Sequence, residues 1–93
     1  MIEREETRIV GRWLLEAGRV VGDANCDRIE ILVRDHLVFV ADAPEGWFKL
    51  YRDPVDARLW EKSYPESHLH GGGPPMLSLV SNEEAAKRYG HVA

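Results

Sequence analysis

This 93-residue chain is poor in cysteine, phenylalanine and methionine, with one, two and two of them. With Cys26 alone, an intramolecular disulfide is excluded, which suits a reducing compartment. The ordinary expectation for that thiol is a small buried hydrophobe near a helix start. No apolar run approaches the roughly 20 residues needed to span a bilayer. The opening Met1-Ile2-Glu3-Arg4-Glu5-Glu6 carries both signs of charge and leads into no signal-type apolar stretch. Export is therefore not expected, and a cytoplasmic location is. No segment is basic enough to track a phosphate backbone, which argues against direct nucleic-acid binding. The formal charge of −4 is spread thinly, with no acidic block, and lends only a weak attraction to basic partners. Repeats, linkers and low-complexity tracts are missing too. One domain over residues 1–93 with one modest core is expected.

What is there concentrates between Gly46 and Pro75, in GWFKLYRDPVDARLWEKSYPESHLHGGGPP. Around it, regular elements read off the pattern. Ile9-Val10, Trp13-Leu14-Leu15 and Val20-Val21 favour β structure, and Ala17-Gly18 supplies a turn. Asp23 or Asn25 offers a helix cap. Ile29, Leu32, Val33, His36, Leu37 and Val40 then recur at helical spacing, predicting a helix over about 24–38. The β-rich composition from Ile29 to Val40 argues the other way, and Val38–Ala41 stays open. Trp47–Arg52 and Arg58–Tyr64 read as strands about a turn led by Asp53-Pro54. Met76–Val80 reads as a short strand. Ser81-Asn82-Glu83-Glu84 is a capping box for a closing helix, with Gly90 where a left-handed C-cap belongs. The sum is an α+β fold, an antiparallel sheet of about four or five strands with two helices packed on it.

The chemical motifs are thin. His70-Gly71-Gly72-Gly73 matches an oxyanion-hole string, yet the chain holds no G-x-S-x-G nucleophile elbow. The same glycines lack the Gly-Lys-Ser/Thr of a phosphate loop and run into Pro74-Pro75, which removes two donors. His68 and His70 without a spaced Cys or His pair are a weak metal signal. A small hydrolytic or metal-dependent enzyme built on His68 and His70 is the alternative from a different class. No catalytic residue, metal or cofactor is assigned.

The hairpin is more suggestive. Alternation puts Trp47, Lys49 and Tyr51 on one strand face, and Arg58, Trp60, Lys62 and Tyr64 together on the other strand. Brought together, they form a band with the composition of a protein-binding hot spot. The same rings also suit packing under a helix with the cations at the rim, and both readings stand at this point.

The order of the pieces resembles the immunity protein 27 family of bacterial polymorphic-toxin systems. The likeness runs through Gly11-x-Trp13, Asp23, Arg28-Ile29-Glu30 and Gly46-Trp47 to Leu50-Tyr51-Arg52-Asp53-Pro54. Asp56, Arg58, Trp60-Glu61, Tyr64-Pro65, His70-Gly-Gly-Gly-Pro-Pro75, Leu77, Ser81 to Ala86 and Tyr89-Gly90 complete it. Ala57 departs from the Gly typical of that turn, and Val38-Phe39 is more apolar than the family pattern. The resemblance implies a non-enzymatic cognate inhibitor that binds and neutralises a toxin domain, a nuclease among the candidates, by steric occlusion. Monomer and homodimer are both open. The contacts expected from the hairpin are Trp47, Lys49, Tyr51, Arg52 and Asp53, with Asp56, Arg58 and Trp60. His68 and His70 are expected from the loop that follows.

Overall fold

The computed structural model describes residues 2–44, 46–67 and 73–90. Strand β1 (Arg8–Val10) is followed by β2 (Trp13–Glu16), β3 (Arg19–Gly22) and helix α1 (Ala24–Ile31). A π-helical turn (Leu32–His36) leads into β4 (Val38–Asp42), β5 (Lys49–Arg52), β6 (Leu59–Ser63), β7 (Met76–Val80) and helix α2 (Asn82–Tyr89). Five strands form one antiparallel sheet in the order β1-β7-β6-β5-β4, while β2 and β3 pair only with each other. This is the expected α+β arrangement.

Register shows how the two helices divide the sheet. Tyr51 lies opposite Trp60, Trp60 opposite Leu79, and Lys62 opposite Leu77, so these side chains share a face. There Tyr51, Trp60 and Leu77 pack with Ile9 of β1, with Ile29 and Leu32 from α1 and the π turn, and with Ile2. Leu50 and Leu59 point the other way and meet Ala85 and Tyr89 of α2. The helices thus cover opposite faces, each burying a small cluster against the same strands.

Local chemistry explains the element ends. The Asp23 side chain accepts from the Cys26 amide at 3.0 Å and caps α1. Helical backbone continues past Ile31 as the π turn, closed by Leu37 N–H donating to Leu32 O at 2.7 Å. The helix expected to reach residue 38 therefore stops at His36, and the β-branched residues beyond it become β4. At α2 both halves of the capping box form, Glu84 N to Ser81 Oγ and Ser81 N to Glu84 Oε1, each at 3.0 Å. Gly90 has φ +82° but ψ −160°, an extended glycine conformation in place of the expected left-handed cap. Cys26 is buried as expected, its side chain set against Gly11 and Gly22, with burial pushing the thiol pKa up.

The β5–β6 turn keeps the conformation that a glycine would prefer. Ala57 sits at φ +64°, with its amide donating to Asp53 O at 2.8 Å. An L-residue there is strained by about 1 kcal/mol. We expect Ala57→Gly to raise the unfolding free energy by about 0.5–1 kcal/mol in urea melts. An unchanged or lowered midpoint would count against that strain.

Candidate recognition surface

The β5–β6 hairpin is anchored by its turn. Asp53, 2% exposed, accepts from Val55 N–H at 2.9 Å and contacts His36 Nε2 at 3.0 Å, tying the turn to the π-helical segment. Asp56 accepts from Arg58 N–H at 3.0 Å and from Arg58 Nε at 2.6 Å. The Arg58 backbone amide, and then its guanidinium, hold the Asp56 carboxyl below the usual carboxylate range. The rest of the Arg58 fork donates to the carbonyls of Glu3, Arg4 and Glu6, and it lies 5.2 Å from the centre of the Trp60 ring. Arg58 thereby clasps the N-terminal segment over the sheet.

The same segment is held a second time. Glu6 accepts from both Arg28 guanidinium nitrogens, at 2.7 and 2.6 Å, and from Glu3 N–H at 2.8 Å. The Arg28 hydrogen bonds, and then the Glu3 amide, bring the Glu6 pKa down to about 2 from 4.5. Because the folded-state value is depressed, this stabilisation is present above pH 4.5 and is lost as pH falls from there towards 2. The pair is partly exposed, so screening reduces its worth, and Glu6→Gln should cost about 1–2 kcal/mol at neutral pH. Denaturant titrations across that acid window should show a shallower pH slope for the variant. Parallel curves would refute the assignment.

Register does bring the predicted hairpin band together, since Lys49 opposes Lys62 and Tyr51 opposes Trp60. Its members divide between core and surface. Tyr51 is 6% exposed, Trp60 0% and Asp53 2%. Burial of the Tyr51 phenol pushes its pKa up. These three expected contacts lie in the interior of the free chain, where α1 and the N-terminal segment cover the centre of that face. Trp47, 59% exposed, precedes β5 rather than lying in it, and Lys49, Asp56 and half-buried Arg52 and Arg58 complete the accessible part. His68 and His70 lie outside the described residues.

At the β4 edge, Lys49 pairs with Asp42 at 2.6 Å and lies 5.8 Å from the centre of the exposed Phe39 ring, while Lys62 lies 5.6 Å from Tyr64. The hydrogen bond to Asp42 raises the Lys49 pKa. Phe39 also stacks edge-on against Tyr51, with centroids 5.8 Å apart. Exposed Val38 and Phe39 were absent from the predicted contacts, although the unusual apolarity of that pair was the available signal. On the opposite sheet face, buried Glu61 accepts from Arg88 Nη1 at 2.6 Å and from Tyr89 Oη–H at 2.8 Å, clamping α2 down. Among the described residues, no group of three or more His, Cys, Asp and Glu is placed to hold a metal ion, and no helix is long and apolar enough to cross a membrane.

Together these features define an α+β domain whose accessible aromatic, apolar and cationic side chains are displayed along a sheet edge. Residues 15–81 match the family model described as Immunity protein 27, and the chain belongs to that family. No curated protein and no solved structure gave a match.

Proposed function

We propose that this immunity protein neutralises a cognate bacterial toxin domain by covering its active or substrate-binding surface. Such a contact buries roughly 1,200–2,000 Å² in total. The observation that carries the reading, beside family membership, is Trp47: a large ring left 59% exposed beside Lys49. Trp and Arg are the residue types that dominate binding energy at protein interfaces. Lys49 stands beside Trp47; Asp56 and Arg58 at the turn, and Arg52 on the other sheet face, are further proposed contacts, together with His68 and His70, which lie outside the described residues. The inhibitor works prefolded, in the cytoplasm, without turnover of its own.

Co-expression with the toxin encoded by the neighbouring gene tests this. Protected growth and co-purification of the two chains are expected, and poisoned cells that this chain fails to rescue would sink the reading. Trp47→Ala should weaken the complex by about tenfold or more. Because the ring is exposed, the variant's thermal midpoint should stay within a few degrees of the parent's.

A further inference from the structure

We propose that the β2–β3 hairpin, with the grooves at its base, is a docking arm for a basic protein surface. This rests on the toxin-binding reading and deepens it, naming a face that meets the toxin and the chemistry the toxin presents there. The hairpin lies outside the five-stranded sheet and pairs only with itself. A two-stranded ribbon alone is marginal in water, and buried apolar faces are what normally rescue it. This one leaves its apolar residues out. Leu15 and Val20 lie opposite each other near its tip, 74% and 67% exposed, and Trp13 and Leu14 are exposed as well. Trp13 shares a side of β2 with Leu15, so the stripe runs from the tip to the base.

At the base Trp13 is common to two grooves. One encloses about 340 Å³ and is walled by Asp27 and Glu30 of α1 with Lys62 and Tyr64 opposite. The other, of about 240 Å³, is lined by Arg12, Pro65, Glu66 and Pro74. The apolar stripe is therefore continuous with the described ends of the loop already placed in the toxin contact.

Charge selects the occupant. Asp23, the cap of α1, and Asp27 and Glu30 within it follow at spacings that put them on one side of the helix. Asp23 is used as the cap, and Arg28, the cation within that run, is held by Glu6. Asp27 and Glu30 make no ion pair among the described residues. Asp27, Glu30 and Glu66 outnumber Lys62 and Arg12 along the two grooves, although Glu30 also acts on Arg34 one turn on. This small acidic excess beside an apolar centre, on a chain of net charge −4, complements a cationic partner and speeds its approach. A second copy of this chain would set two acidic rims against each other. The exposed apolar area of the arm, on the order of a few hundred Å², is less than one side of a standard interface, so the grooves must share the contact.

The test measures binding to the purified toxin domain of the neighbouring gene by calorimetry and by stopped-flow association at low and high salt. Leu15→Ser with Val20→Ser should weaken binding by about tenfold or more while the thermal midpoint holds, both side chains being solvent-exposed. Asp27→Lys with Glu30→Lys should slow association by about tenfold and flatten its salt dependence. Ala86→Ser, an exposed control in α2 on the opposite face of the sheet, should bind as the parent does. Parent-like binding by both double variants, with the parent complex intact, overturns the arm and leaves the toxin reading standing. A dimeric parent that the Leu15/Val20 variant makes monomeric, with toxin binding unchanged, likewise overturns it, the arm then being a self-contact. Failure of the parent itself to bind that domain or protect against it removes the toxin reading, and the arm with it.

Discussion

Trp60→Ala should lower the unfolding free energy by about 3–5 kcal/mol, the loss expected for truncating a fully buried large aromatic. The indole is 0% exposed and sits among Ile9, Ile29, Leu32, Tyr51 and Leu77, so its removal opens a hole that both α1 and the sheet must close. Small domains have roughly 5–15 kcal/mol in hand, so much of the margin goes. A fall of about 12–40 °C in the thermal midpoint follows, at roughly 4–8 °C per kcal/mol. Trp60→Phe separates packing from chemistry. The Trp60 Nε1–H is buried and finds no acceptor among the described residues, so phenylalanine removes an unsatisfied donor while keeping most of the ring volume. It should cost no more than about 1.5 kcal/mol and leave toxin binding at the parent level. A Trp60→Phe protein that folds normally but loses its partner would return this residue to the interface.

That contrast marks where the sequence was legible. Elements with local signals were read nearly to the residue. The Ser81/Glu84 capping box and the Asp23 cap, one of two offered, rest on contacts within a few positions, and the Met76–Val80 strand was read from its own apolar run. Alternation also showed which side chains of each strand share a face, while the register that brings Tyr51 opposite Trp60 was left as a condition. Alternation does not say which face a helix will cover, or how far along the strands. The centre of the band went under α1, while Lys49 and Phe39 near the β4 edge stayed in water. Arg58 shows the same limit at greater range. Its hydrogen bonds run to the carbonyls of Glu3, Arg4 and Glu6, and no local pattern announces a contact across so much chain. The π turn escaped because its apolar spacing is shared by an ordinary helix, and its one distinguishing hydrogen bond is backbone to backbone.

Gly73→Ala should be among the most damaging single-methyl substitutions in the chain. Gly73 sits at φ +75°, and a Cβ built there would come 2.2 Å from the Glu66 carbonyl oxygen and 2.7 Å from its carbon. Both obstacles are main chain, so no side-chain rotation relieves them. The left-handed conformation alone disfavours alanine by about 1–2 kcal/mol, and the overlap adds a backbone displacement of comparable or larger cost. We expect a total of about 3 kcal/mol or more, read as a lowered urea midpoint with an unchanged slope. Position in the fold widens the consequence. Gly73 lines the groove shared with Trp13, and Pro75, two residues on, accepts the Gly11 amide at 2.9 Å. Pushing the backbone at residue 73 away from Glu66 therefore disturbs the wall on which the docking arm stands. Toxin binding by Gly73→Ala should fall more than its stability loss alone explains, measured at a temperature where the variant is still folded. Full-strength binding by a folded Gly73→Ala protein would mean that this wall does not take part in recognition.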